Sequence, residues 1–206
     1  MALPRFAVVD VETSGLKSHR HRLLQVAMVS VDAAGRVDEE WETFVRLRWP
    51  LSSVGPTHVH GITRSDLRGA PPAAEVVDEL CGRLGDRLLV AHNARFDGEF
   101  LRRAAGSRLE PEHAARLERR LCTLRMSRRL DPDRSRSHRL GDLCDRYGVA
   151  LDRPHEALAD ARATAAILPH LLNEHAITEA SQLEPFLDRP GLDARRRWPR
   201  RRSPQR

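Results

Sequence analysis

The sequence predicts an α/β domain with a mixed sheet, because apolar strand-like runs come first and helix and strand then alternate. Tight turns join the first runs, which favours an antiparallel start; the three runs are 6–11, 23–31 and 41–47. A fourth strand is predicted over 88–91, and the predicted helices cover 73–84, about 97–105, 139–147 and 156–168. We expect Pro169 to end or kink the last helix.

Composition restricts the class of protein. The 206 residues are 40% hydrophobic, which suits one domain that buries its core without disulfides. Cys81, Cys122 and Cys144 are widely spaced with no CxxC pair, which indicates reduced thiols rather than a zinc site. The first apolar run meets Asp10 after four residues, and we expect neither a signal segment nor a membrane span. The predicted location is cytoplasmic, without a membrane partner.

The basic charge is concentrated at the C-terminal end. The formal net charge is +6, whereas eight arginines and one aspartate give 189–206 a charge of +7 and leave −1 for the remainder. We therefore divide the chain into a domain over 1–175, a short extension over 176–188 and a basic tail over 189–206 that is expected to be disordered. Trp198 among the arginines suits non-specific nucleic-acid binding, and a solubilising end is the equal alternative; truncation at Arg189 separates them.

Two acidic residues on the first strand suggest a metal site. Asp10 and Glu12 are two apart, so both project from one side of the strand. Like charges there raise each other's pKa, and a divalent cation relieves the repulsion. Hard oxygen ligands favour Mg²⁺ or Mn²⁺. A solvated strand edge is the alternative explanation.

Two further segments carry polar residues of the same kind. Asp97 follows the fourth strand, where a helix N-cap is the simpler role for it. His155 and Asp160 are five residues apart, about 140° around a helix, so they share no helix face. Pro154 places His155 at the helix entrance, where a loop conformation can direct its ring back toward Asp160.

Three segments in order, VVDVETSGL, AHNARFD and HEALADARATAAIL, resemble the exonuclease motifs of the DEDDh family. The resemblance covers roughly 5–172 and takes in His60 to Thr63 and Leu121 to Leu124. This family of 3′→5′ exonucleases includes the proofreading (epsilon) subunit of bacterial DNA polymerase III, the oligoribonucleases and the RNase T group. It implies a ribonuclease-H-like fold with a central five-stranded mixed sheet flanked by helices.

The resemblance also implies roles for particular residues. Asp10, Glu12 and Asp160 would hold the first of two divalent cations, Mg²⁺ or Mn²⁺, with Asp10 bridging to the second and Asp97 assisting. His155 would be the general base. A tyrosine near Asp160 would indicate the sister family, but Glu156 and Ala157 stand at those positions. Gln25 and Cys122 replace acids of many relatives, and neither is an expected ligand.

Substrate contacts are implied in the same way. Thr13, Gly15 and Leu16 would touch the terminal nucleotide, and Asn93, Phe96 and His60 would lie beside the strand end. Gly15 could equally serve the turn, and Phe96 the core. The predicted reaction hydrolyses the terminal phosphodiester bond of single-stranded DNA, in proofreading or repair, and releases nucleoside 5′-monophosphates.

Two alternatives remain from the sequence: an RNA-trimming exoribonuclease of the same family, and an accessory protein that binds a polymerase or clamp. The second is suggested by Gln182 to Phe186, which loosely resembles a peptide that docks on the sliding clamp. Helix-end packing explains that segment equally well. The predicted partners are thus single-stranded nucleic acid 3′ ends, with the DNA polymerase III core or the clamp as further candidates.

Overall fold

A computed structural model describes residues 2–49, 51–106 and 110–188. Six strands form one mixed sheet, in the order β3-β2-β1-β4-β5-β6. The strands are β1 Phe6–Thr13, β2 Leu23–Val31, β3 Val37–Phe44, β4 Leu88–Ala91, β5 Arg120–Cys122 and β6 Leu187–Asp188. The helices are α1 Thr57–His60, α2 Ala73–Leu84, α3 Ala94–Ala105, α4 Pro111–Glu118, α5 Thr123–Arg129, α6 Leu140–Tyr147 and α7 Ala157–Glu174, followed by a 3₁₀ helix Ala180–Phe186.

The first three strands form an antiparallel meander, as predicted. Strands β4 and β5 then add parallel to β1, and β6 closes the edge antiparallel to β5. The fold class is therefore confirmed, with one strand more than the five expected. The sixth strand comes from the extension over 176–188, whose two strand residues are too few to give an alternating sequence pattern.

Each face of the sheet buries a separate core. Phe6 and Val8 of β1 pack with α7, whereas Ala7 and Val9 face α2 and α3. The alternation follows from the two-residue period of a strand. It places Asp10, which continues the series of Phe6 and Val8, on the α7 side of the sheet.

Several predicted boundaries agree with the structure, and others are wrong. The bounds of α2 and β4 are confirmed. Helix α7 continues through Pro169 to Glu174, so the predicted end is wrong: burial of the helix against β1 and β2 outweighs the one lost hydrogen bond. Helix α3 begins at Ala94 with Asn93 as N-cap, so the N-cap role suggested for Asp97 is wrong.

Two predictions about the chain's organisation stay predictions. The basic tail over 189–206 lies outside the described residues. The boundary between a domain at 1–175 and an extension at 176–188 is not tested either, although the extension contributes β6 to the sheet. In the described part of the chain, none of the helices combines the length and the apolarity that crossing a membrane requires.

Candidate active site

The site begins at the end of β1. Asp10 and Glu12 project from the face on which Phe6 and Val8 pack against α7. Glu12 pairs across the sheet with Gln25 of β2, and a register shift between Glu12 and Thr13 ends the regular ladder. The strand thus carries two carboxylates to the edge of the core, beneath the start of α7.

Helix α7 supplies the third carboxylate, and the turn before it supplies the imidazole. Asp160 lies in the first turn, and His155 precedes the helix with φ of 67°. This left-handed conformation turns the chain back, so the His155 backbone N–H donates to Asp160 Oδ2 at 3.2 Å. Ligand atoms of Glu12, His155 and Asp160 lie within 4.8 Å of one another. The loop-like entrance expected for His155 is therefore observed.

The fourth carboxylate comes from α3. Asp97 is 3% exposed, on the first turn of the helix, and accepts a hydrogen bond from the Val11 backbone N–H. This bond ties α3 to β1 next to Asp10. The structure thus brings all four predicted acids and the predicted histidine to one place, although they come from three elements far apart in sequence.

The pKa values of all four acids are raised. Burial raises the pKa of Asp10 well above its usual range, and the charges of Asp97, Asp160 and Glu12 raise it further. Burial and the neighbouring charges of Asp160 and Asp97 raise the pKa of Glu12 to about 8. Burial raises the pKa of Asp97 to about 7, with partial relief from backbone hydrogen bonds and Arg120. Burial also raises the pKa of Asp160.

One buried carboxylate oxygen lacks a hydrogen-bond partner in the part of the chain that the structure describes. Asp160 Oδ1 is inaccessible and accepts no hydrogen bond among the described residues. An unpaired carboxylate oxygen in a low-dielectric site is costly, and a cation is its natural complement. Four carboxylates form an oxygen donor set that suits Mg²⁺ or Mn²⁺. The residues present therefore fit a divalent metal centre.

An open cavity of about 650 Å³ adjoins this acidic cluster. It lies between the His60–Ile62 turn, the ends of β2 and β3, and the loop that carries His155. Arg153 and Glu156 on its wall pair with each other at 2.7 Å. The cavity gives a small ligand access to the imidazole.

The turn after β1 is built tightly. Thr13 Oγ1 donates to the Gly15 carbonyl at 2.9 Å. Gly15 has φ of 151°, and a Cβ there would lie 2.5 Å from the His21 ring, so the turn requires glycine. Leu16 is 83% exposed beyond this turn. The structure thus shows a structural role for Thr13 and Gly15 and leaves the Leu16 side chain available to a ligand.

The other predicted substrate neighbours differ in accessibility. His60 is buried, and its ring accepts from the Ile62 N–H at 3.0 Å and bonds the Val54 carbonyl at 3.0 Å. Phe96 is half-buried against Phe100, with ring centroids 4.9 Å apart. Asn93 is exposed in a left-handed conformation at the start of α3. Roles for these residues in binding substrate remain predictions.

Sequence reasoning missed some residues around the site. Gln25 is buried and donates to Glu42 at 3.0 Å, a role that its position in the sequence did not predict. Arg120 forms a buried ion pair with Asp188 at 2.9 Å. These two are 68 positions apart and lie in very short strands, so no sequence spacing indicates the pair.

The clamp-like segment contributes to the core instead. Leu183 and Phe186 are 0% and 6% exposed and belong to the cluster that packs under α7. Helix-end packing, the second explanation of Gln182 to Phe186, therefore accounts for both apolar residues.

Fold and site together define a nuclease of the ribonuclease-H-like class. The sequence profile described as "Exonuclease" matches residues 7–168. The chain belongs to this exonuclease family, and the resemblance to the DEDDh exonucleases is confirmed.

Among curated proteins, the PolC-type DNA polymerase III of Bacillus subtilis is 35% identical over 171 residues, which is 83% of this chain and 12% of the polymerase. The PolC-type DNA polymerase III of Streptococcus thermophilus is 34% identical over 183 residues, which is 86% of this chain and 12% of that polymerase. This chain thus spans about an eighth of the length of these relatives.

Solved structures share the fold. The nuclease domain of 3′hExo, described as a DEDDh family member bound to rAMP, has a TM-score of 0.72 at 16% identity, covering 85% of this chain and 95% of that one. Exonuclease I of E. coli in complex with a dT13 oligonucleotide has a TM-score of 0.65 at 20% identity, covering 84% and 42%.

Proposed function

We propose that this exonuclease works from the 3′ end of single-stranded DNA and releases nucleoside 5′-monophosphates. The observation that carries the proposal is the convergence of Asp10, Glu12, Asp97 and Asp160 beside His155. A cluster of four carboxylates that Arg120 relieves only in part is poorly suited to bind a phosphodiester on its own. It is well suited to bind metal ions that in turn attract one.

The carboxylates would hold two divalent cations, Mg²⁺ or Mn²⁺. Asp10, Glu12 and Asp160 would bind one ion, and Asp10 would be shared with a second that Asp97 supports. When bound, such a pair activates water, neutralises charge on the scissile phosphate and stabilises the leaving 3′-oxygen. The buried, unpartnered Asp160 Oδ1 supports this assignment.

His155 would act as general base and take the proton from the attacking water. Its ring nitrogen lies within 4.8 Å of carboxylate oxygens of Glu12 and Asp160, at the edge of the open cavity. The backbone bond from His155 to Asp160 fixes the turn that carries the ring. A histidine held in this way is placed for the reaction before substrate arrives.

Leu16 would pack against the terminal base, since its side chain is 83% exposed just beyond the motif that carries Asp10 and Glu12. Contacts of this kind read stacking and sugar–phosphate rather than base edges, so we expect little sequence specificity. DNA is the favoured substrate because the relatives at 34–35% identity are named DNA polymerases.

RNA trimming is the second candidate. It is supported by two structural neighbours at 15–16% identity, one bound to rAMP and one described as a 3′-exonuclease that recognises a histone mRNA stem-loop. We further propose that the chain acts in the cytoplasm alongside a replicative polymerase, since PolC-type polymerases contain a similar segment.

The test uses 5′-labelled DNA and RNA strands of matched sequence, and a DNA duplex with a 3′ mismatch. We expect a ladder of products that shorten from the 3′ end of the DNA single strand. EDTA should stop the reaction, and Mg²⁺ or Mn²⁺ should restore it. His155→Ala should lower kcat by about 10²- to 10⁴-fold.

His19→Ala is the matched control, because His19 is also exposed but lies outside the acidic cluster. Degradation that persists in EDTA, or release of the 5′ label as a mononucleotide without a ladder of intermediates, would reject the proposal. Preferential cleavage of the RNA strand would replace DNA with the second candidate.

A further inference from the structure

A basic cleft lies beside the active site. It consists of two adjoining cavities of about 540 and 410 Å³ that share Asn93, Leu124 and Arg128. We call it the arginine cleft after the six arginines that line it: Arg95, Arg125, Arg128, Arg129, Arg134 and Arg139. The proposed hydrolysis uses none of them.

The charge of the cleft is strongly positive. Among the described lining residues Asp188 is the only acid, and it is buried and bound by Arg120 at 2.9 Å and Arg125 at 3.8 Å. Arg128 and Arg129, at the end of α5, are exposed and form no ion pair with any residue that the structure describes. Their guanidinium groups are thus available to an anionic ligand.

The wall of the cleft is held in place from behind. Asp131 accepts hydrogen bonds from the Ser135 and Arg136 backbone N–H groups at 3.2 and 2.9 Å. The buried His138 ring lies between Ser127 Oγ at 2.8 Å and Asp131 Oδ2 at 3.2 Å. This network fixes the loop between α5 and α6 against α5. Binding along the cleft therefore requires little ordering of the backbone.

Asn93 connects the cleft to the helix that carries one of the clustered acids. Exposed Asn93 lines both cavities, and it precedes α3, which carries Asp97 on its first turn. A strand bound with its 3′ end at Asp97 and running past Asn93 would place its preceding phosphates in the cleft. Guanidinium groups bind phosphate oxygens through two parallel hydrogen bonds, irrespective of base sequence.

We propose that the arginine cleft binds the sugar–phosphate backbone of the substrate strand on the 5′ side of the scissile bond. The proposal rests on the exonuclease function above and adds a consequence to it. Strands long enough to reach Arg128 and Arg129 are bound more tightly than a dinucleotide, whose only phosphate is the one that is cleaved.

The test compares Arg128→Glu/Arg129→Glu with Arg68→Glu/Arg102→Glu. All four arginines are exposed, both variants change the charge equally, and Arg68 and Arg102 lie outside the cleft. For a twelve-nucleotide DNA strand, we expect the cleft variant to raise KM about 10-fold, whereas kcat/KM for a dinucleotide changes less than about twofold. The control variant should match the wild type on both substrates.

Binding measured in EDTA separates the cleft from catalysis. Fluorescence anisotropy with the same strand over a series of NaCl concentrations gives the binding constant at each concentration. The slope of its logarithm against the logarithm of the salt concentration should be smaller by about 1.4 in magnitude in the cleft variant, because two phosphate contacts are lost. Such a loss in a protein that cleaves nothing would reject the exonuclease function and keep the cleft. The proposal would be overturned if the control variant lost as much affinity as the cleft variant, or if kcat/KM for the dinucleotide fell as much as that for the strand. Tighter binding of a polyglutamate peptide than of the strand would overturn it as well.

Discussion

Buried carboxylates occur in two regions of this protein, and they are stabilised in different ways. At the sheet edge, Asp188 of β6 is 4% exposed and pairs with Arg120, which is 2% exposed and lies across Gly98 of α3. A Cβ on Gly98 would lie 1.5 Å from the Arg120 guanidinium, so the pair depends on this glycine. At the end of β1, four carboxylates converge, and their pKa values are raised instead.

The difference separates a structural acid from functional ones. Asp188 has its counter-ion within the chain, so the protein is complete there without a ligand. The acidic cluster is relieved only in part by Arg120, and Asp160 Oδ1 has no hydrogen-bond partner among the residues that the structure describes, so a cation bound from outside would stabilise the cluster. Replacing one carboxylate by a neutral side chain should therefore destabilise the protein at Asp188 but relieve repulsion in the acidic cluster. The following predictions test that contrast.

The largest expected effect is on activity. Asp10→Asn and Asp160→Asn should each lower kcat/KM by on the order of 10³-fold or more, because a metal ligand is worth several kcal/mol in the transition state. Both variants should fold, since each substitution removes repulsion from the cluster. Rates of strand shortening and circular dichroism measure the two outcomes.

Glu79→Gln is the control, because Glu79 is an acid on α2 that pairs with Arg83 at the surface, away from the acidic cluster and the arginine cleft. It should retain wild-type activity. A wild-type rate in either aspartate variant would contradict the assignment of the site.

The next effect is on stability. Asp188→Asn should lower the free energy of unfolding by about 3–5 kcal/mol, because it leaves Arg120 buried without its counter-ion. Urea unfolding measures the change. Glu184→Gln breaks the exposed pair with Arg119 and should cost less than about 1 kcal/mol. Similar losses in the two variants would remove the distinction between a buried pair and a surface pair.

The smallest effect is a pH dependence of the metal-free protein. The folded pKa of Glu12 is about 8 and that of Asp97 about 7, against about 4 in an unfolded chain. Between these limits the folded state holds more protons, so the contribution of the cluster to stability falls as pH rises from about 4 to 8. In EDTA, the melting temperature should therefore decrease between pH 6 and pH 8.5, and the decrease should be smaller in Asp10→Asn.

Added Mg²⁺ should raise the melting temperature more at pH 8.5 than at pH 6, because protons compete with the metal for the carboxylates. The Asp188→Asn variant should show the same dependence on pH and metal as the wild type. If the melting temperature of the wild type in EDTA rose steadily with pH, while that of Asp10→Asn did not, the raised pKa values would be contradicted.

Local sequence was sufficient for much of the fold and the site. Continuous apolar runs predicted β1 and β2, and the apolar spacing with a terminal glycine predicted the bounds of α2. The acids and His155 were identified because three motifs occur in the order of a known family. Their convergence in the structure agrees with that assignment. The short elements, α4, α5, β5 and β6, were missed because two to eight residues carry too little periodicity.

The sequence by itself determined which side chains are available for chemistry and that two of them share one face of β1, because strand alternation is a local property. Tertiary structure decided which charges meet. The pairing of Arg120 with Asp188 and the row of arginines beside Asn93 depend on contacts between elements far apart in the chain. Such contacts are set by packing and topology, and no spacing along the sequence encodes them.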